Sequence, residues 1–196
     1  MKNYFSISDN AARQSIDACT IWREYLRADN AAKAYAAGMY WKKEGAYEYL
    51  VKTHGGNKQQ RLGARSQETE HIFISFHAKK KEYTSRAAAL RGALEEAQRQ
   101  NKALRVGRTP DIVVKLLNAL REEGLEKHFR VVGTHALYAY EAAAGVRVVS
   151  GALATQDLDL LWDAGKRVQF VKKKKKGIGS MLSLLQRVDP SFQRQD

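Results

Sequence analysis

The sequence holds a single cysteine, Cys19, among its 196 residues. An internal disulfide is therefore excluded, and with it the small secreted scaffolds stapled by several such bonds. Multi-cysteine zinc sites are excluded too. A lone cysteine on a helix ordinarily behaves as a small apolar side chain. No apolar run approaches the roughly 20 residues of a membrane span. The N-terminus lacks the basic, apolar and small-residue segments of a secretory leader. No Gly-x-x-x-x-Gly-Lys-Ser/Thr phosphate loop occurs. There is no internal repeat, and the only low-complexity run is Lys172 to Lys176. These absences predict a cytoplasmic protein that makes no membrane contact. Its length is enough to bury a core without covalent help.

Positive charge is what the sequence has in excess. The formal net charge is +13, from 34 Lys and Arg against 21 Asp and Glu. Between Gly165 and Asp196, nine basic residues face only Asp189 and Asp196, so this stretch carries +7 of the total. Concentrated positive charge attracts polyanions. It equally describes a solubilising surface with a lysine-rich loop, and charge sign alone does not separate the two readings.

Along the chain, Asp9 is placed to cap a helix running to about Leu26, and Asp29 or Asn30 to cap a second, alanine-rich one ending near Gly38. Met39 to Thr53 is dense in aromatic and β-favouring residues around Glu44-Gly45 and predicts a β-hairpin, although Tyr40, Tyr47 and Leu50 also fall near helical spacing. His54 to Ser66 reads as a polar, glycine-rich loop. Ser66 then caps a long helix to about Leu104, with Phe73, Phe76, Leu90 and Leu94 inward and a charged stretch at 78–85 that should break or bend it. Thr109-Pro110-Asp111 is a helix start, with Gly124 placed to end that helix. Short strands are expected at Phe129–Val132, Val146–Val149, Leu158–Trp162 and Arg167–Val171. A helix follows Gly133-Thr134 to Ala144, and another closes the chain between Gly177 and Val188. The fold class is therefore α+β. Residues 1–125 form a mainly helical part with the hairpin, and residues 126–196 a small mixed sheet with flanking helices.

Two features in the last third carry chemistry. Gly133-Thr134 joins a strand to a helix. Glycine there lets the backbone approach a ligand, and the helix N-terminus offers unpaired N–H groups to phosphate oxygens. The second feature is Asp157-Leu158-Asp159-Leu160. On a strand, residues i and i+2 share a face roughly 7 Å apart. Asp157 and Asp159 would then converge while Leu158 and Leu160 enter the core. Two carboxylates on one face suit Mg²⁺ or Mn²⁺ shared with substrate phosphates. Taken alone, this pattern also fits a solvated strand edge.

Together, the glycine turn, the helix and the Asp-apolar-Asp strand resemble the minimal core of the DNA polymerase beta-type nucleotidyltransferase superfamily. Further blocks occur in order: Gly38-Met39-Tyr40-Trp41-Lys42, Leu62-Gly63-Ala64-Arg65-Ser66, Glu68-Thr69-Glu70, Gly107-Arg108-Thr109-Pro110 and Ala154-Thr155-Gln156-Asp157-Leu158-Asp159-Leu160. This series, from about residue 30 onward, is similar to a bacterial family of nucleotidyltransferase-fold proteins. The resemblance implies that Gly133 and Thr134 hold a nucleoside triphosphate, where the family commonly has Gly-Ser or Gly-Gly, and that Asp157 and Asp159 bind the catalytic metals. The implied activity is transfer of a nucleoside monophosphate to an acceptor hydroxyl of RNA, a protein or a small molecule, and the basic surface tilts the choice weakly to RNA.

The resemblance also implies a third carboxylate on a later strand. After Val188 the sequence runs Asp189-Pro190-Ser191-Phe192-Gln193-Arg194-Gln195-Asp196, with no apolar-Asp-apolar strand. The expectation is a C-terminally truncated relative. In that case the site is either completed by another segment or chain, including self-association, or decayed into a basic nucleic-acid-binding module. Secondary candidates remain. Arg65 and Ser66 follow the glycine-rich loop and could touch phosphate, or simply stabilise a loop. His135 adjoins the turn, although a lone histidine is more often structural. Lys172, heading the lysine run, could steer a triphosphate or sit at a charged hairpin tip. The aromatic residues Tyr40, Trp41, Tyr47 and Tyr49 could stack on bases, although packing is the more ordinary role.

Overall fold

The computed structural model describes residues 3–54, 58–149, 158–163 and 180–194. The chain forms two compact units, Arg13–Leu104 and Met1–Ala12 with Arg105–Asp196. The architecture is α+β, as expected from the sequence.

The Arg13–Leu104 unit is built on two long helices, α1 (Asp9–Ala34) and α2 (Gln67–Ala103), and three strands, β2 (Met39–Glu44), β3 (Tyr47–His54) and β4 (Lys58–Ala64). The expected hairpin forms. β2 and β3 are antiparallel, pairing Met39 with Lys52 through to Glu44 with Tyr47, and Gly45 takes a left-handed φ of 61° in the turn. The segment expected to be a polar loop instead supplies β4, which pairs antiparallel with β3. Its sequence, Lys58-Gln59-Gln60-Arg61-Leu62-Gly63-Ala64, has no apolar alternation, so the β3 backbone supplies the partner that its side chains do not announce. Met39 and Leu50 pack on Phe76 of α2, and Trp41 meets Phe73 with ring centroids 5.7 Å apart.

Ser66 caps α2 reciprocally. Its hydroxyl accepts from the Thr69 N–H at 3.3 Å, and the Thr69 hydroxyl accepts from the Ser66 N–H at 2.8 Å. The expected break at 78–85 does not occur. Lys and Glu are good helix formers. Lys80 donates to the Ala37 carbonyl at 2.8 Å, and Tyr83 packs on Tyr35, so the stretch is held at its charged positions. The expected helix break at Asp29-Asn30 is also absent. Asp29 pairs with Lys33 one turn on, at 2.6 Å, rather than capping a new helix. Gln14, buried, ties α1 to α2 by donating to the Ala97 carbonyl and to Asn101.

The other unit carries α3 (Asp111–Glu122), β5 (Phe129–Val132), a single 3₁₀ turn (Gly133–Ala136), α4 (Leu137–Ala144), β6 (Val146–Val148), β7 (Asp159–Trp162) and α5 (Met181–Val188). Its core is Leu116, Ala119 and Leu120 of α3 with Leu125 and Leu184, and Leu158 and Leu160 pack against it. α3 starts one residue later than its proline suggested, with Pro110 at the cap, and its chain reverses at Gly124, φ 72°. β6 pairs with an N-terminal strand that was not foreseen, β1 (Tyr4–Ser6), with Tyr4 opposite Val148. A three-residue strand whose partner lies at the far end of the sequence leaves no local pattern to read.

Candidate functional site

Register brings the glycine turn and one acid of the Asp-apolar-Asp pattern together. β5 and β7 are antiparallel, and Val132 stands opposite Asp159. The residue after Val132 is Gly133, so the turn begins beside the aspartate. Gly133 has φ 64°, in the left-handed region where a β-carbon is disfavoured. A β-carbon there would overlap the Asp159 carboxylate, lying 3.3 Å from its Cγ and 3.5 Å from its Cβ. Glycine is thus required twice, for the turn and for the close approach of the acid. Leu158 and Leu160 are half-buried on the α3–α5 core, while Asp159 between them is exposed. That is the alternation expected of a half-buried strand. Among the described residues, no ion pair engages the Asp159 carboxylate.

After Gly133 the chain makes the 3₁₀ turn and enters α4. Thr134 is half-buried in it. His135 is 6% exposed and stacks on Tyr138, with ring centroids 5.8 Å apart. Its Nδ1 is buried without a hydrogen-bond partner among the described residues.

The far end of α4 is fixed by an ion pair that the sequence pattern did not disclose. Glu141 is buried and meets the Arg108 guanidinium on two edges, with Nε–H donating at 3.1 Å. Glu141 also accepts from the Val148 N–H at 2.7 Å, while Arg108 donates to the Val148 carbonyl at 2.5 Å. The guanidinium, together with the Val148 N–H, outweighs burial and holds the Glu141 carboxyl below the ordinary glutamate range. One arginine thereby joins the segment before α3 to α4 and β6. The signals available were Arg108 within a family-like block and a single acid in the alanine-rich stretch of α4.

The other predicted residues fall elsewhere. Arg65 and Ser66 belong to the Arg13–Leu104 unit. Arg65 pairs with Glu48 at 2.5 Å and Glu70 at 2.9 Å and lies 5.1 Å from the Trp41 ring centre. Those carboxylates, Glu48 foremost, raise its already high pKa. The Ser66 hydroxyl is engaged in capping α2. Asp157, Lys172 and the rest of the lysine run, and the expected Arg167–Val171 strand, lie outside the described residues.

Residues 111–196 match a family model described as Nucleotidyltransferase. The matched segment runs from α3 onward, so both Gly133 and Asp159 fall inside it. The match supports a nucleotidyltransferase family for this segment and, with it, a general nucleotidyltransfer role and a nucleotide substrate. Comparison with curated proteins and with solved structures gives no match. Among the described residues, no helix is long and apolar enough to cross a membrane.

Proposed function

We propose that the chain is a metal-dependent nucleotidyltransferase that moves a nucleoside monophosphate from a nucleoside triphosphate to an acceptor hydroxyl, RNA being the favoured acceptor class. The observation that carries this reading is the Asp159 carboxylate seated against the left-handed Gly133 at the head of the α4 turn. In this reading, the bare glycine backbone admits the phosphates, and the first N–H groups of the turn and the Thr134 hydroxyl face their oxygens.

The residues present suit a hard cation. An exposed carboxylate oxygen donor stands at a turn that has no side chain to obstruct it. Among the described residues, no cluster of three or more potential ligand side chains forms. Asp159 and Asp157 would therefore hold Mg²⁺ or Mn²⁺, with substrate phosphates and water completing its oxygen shell. Bound there, the ion would neutralise phosphate charge and make the α-phosphorus a better electrophile. Asp159 supplies the protein's anchor, Gly133 the clearance, and the Arg108–Glu141 pair the fixed position of α4.

Calorimetric titration with each nucleoside triphosphate, with and without Mg²⁺, tests the reading. The wild-type chain should bind in a Mg²⁺-dependent manner. Asp159→Asn and the Asp157→Ala, Asp159→Ala double variant should lose that dependence. Unchanged nucleotide affinity in both variants would sink the proposal. Incubation with labelled triphosphates, total RNA and Mg²⁺ or Mn²⁺ then reads turnover and the acceptor.

A further inference from the structure

The Arg13–Leu104 unit lies wholly outside the matched segment, yet one face of its sheet has the chemistry of a binding platform. In an antiparallel sheet, directly paired residues share a face. Met39, Trp41 and Leu50 share the face packed on Phe73 and Phe76 of α2. The pairs Lys42 with Tyr49, Glu44 with Tyr47, and Tyr40 with Val51 therefore lie on the opposite face, and the Val51 partner Arg61 joins them from β4.

That face is aromatic and cationic rather than aliphatic. Tyr47 is 66% exposed and Tyr40 is 37% exposed, whereas the one aliphatic residue of these pairs, Val51, is 3% exposed. The Arg61 guanidinium lies over the Tyr49 ring, 4.0 Å from its centre, a cation–π contact that places a flat cation on this face. Lys42 at 2.9 Å and Arg61 both pair with Glu44, so two cations share one carboxylate and a positive charge is left over. Basic residues outnumber acidic ones by seven between Arg13 and Leu104. An apolar protein partner would find little aliphatic surface here. A ligand with flat rings and a regularly charged backbone fits both features.

We propose that this face of the β2–β3–β4 sheet binds single-stranded nucleic acid, with bases stacking on Tyr40, Tyr47 and the Arg61–Tyr49 pair and phosphates meeting Lys42 and Arg61. Unpaired bases expose the ring faces that stacking needs, and a duplex hides them. Binding here is independent of the Gly133–Asp159 site, so it should survive Asp159→Asn. Loss of triphosphate binding and loss of strand binding are then separate results.

The test is fluorescence anisotropy of labelled twelve-nucleotide RNA and DNA single strands, and of the matching duplexes, with the full chain and its Asp159→Asn variant. Single strands should bind more tightly than duplexes, and more weakly as salt rises. RNA against DNA shows which sugar is preferred, and either preference is consistent with the proposal. Tyr47→Ala should weaken single-strand binding about fivefold or more, while Tyr47→Phe should retain it. Glu44→Gln should tighten binding, because it releases both cations from their shared carboxylate. Circular dichroism confirms that the variants fold. Three outcomes would overturn the proposal: Tyr47→Ala binding as the wild type does, duplex binding equal to single-strand binding, or no binding at 50 mM salt.

Discussion

The carboxylate of Asp159 occupies the space that a β-carbon on Gly133 would need. The two residues come together because β5 ends at Val132 exactly opposite the start of β7. Gly133→Ala should therefore act twice. The left-handed backbone alone costs a non-glycine residue about 1–2 kcal/mol, and the new methyl must push the carboxylate aside. Urea unfolding should show that loss of stability, and Mg²⁺-dependent nucleotide affinity should fall in the same variant.

Asp159→Asn separates the two effects. The amide is nearly the same size as the carboxylate, and the side chain is exposed. Stability should stay within about 0.5 kcal/mol of wild type, as for most surface substitutions. Metal-dependent nucleotide binding should be lost. A variant that keeps its unfolding midpoint but loses binding marks Asp159 as a ligand rather than a packing residue.

How far the sequence anticipated this arrangement depended on the distance over which each feature is written. The hairpin is local: Tyr40 and Trp41 before the turn, Tyr47 and Tyr49 after it, and Gly45 between them. The α2 cap is equally local, with Ser66 and Thr69 three residues apart. The approach of Gly133 to Asp159 was half legible. Each residue stood out by type, but only the β5–β7 register joins them. β4 is hidden in the sequence because Gln59, Gln60 and Arg61 look like loop residues until β3 supplies a backbone partner and Tyr49 a surface for the arginine. The continuity of α1 is hidden because Asp29 has two uses, capping and pairing, and in the folded helix it pairs with Lys33. Glu141 and Arg108 lie 33 residues apart, beyond any periodicity.

The Ser66 cap gives a stability prediction confined to the Arg13–Leu104 unit. Its hydroxyl accepts from Thr69, and the Thr69 side chain returns a bond to the Ser66 N–H. Ser66→Ala removes one half of this reciprocal pair at the head of α2 and should cost about 1 kcal/mol. Ser66→Asp restores an acceptor at the helix N-terminus and should recover most of that loss. Thermal unfolding monitored by circular dichroism measures both. Nucleotide affinity should be unchanged in either variant.

Glu141 predicts how stability depends on acidity. Its folded pKa is depressed, with the Arg108 hydrogen bonds as the largest cause. An unfolded glutamate titrates near about 4.3. The sign follows from proton counting: below that value the unfolded chain takes up a proton that the folded carboxylate still resists. The stabilisation is therefore complete above about pH 4.3 and is lost as pH falls through the folded value. Arg108→Met would leave a buried carboxylate without its cation and the Val148 carbonyl without a donor. The expected cost at neutral pH is toward the lower end of the about 3–5 kcal/mol typical of broken buried pairs, because the Arg108 side chain is 27% exposed. In that variant the arginine no longer opposes burial, so the Glu141 pKa rises toward the unfolded value and the acid-induced loss from this carboxyl shrinks. Urea midpoints measured from pH 3 to 7 should show the wild-type fall confined to the acid end and a smaller acid-side fall, from a lower neutral-pH midpoint, in Arg108→Met. In Glu141→Gln, the contribution of this carboxyl to the slope should disappear.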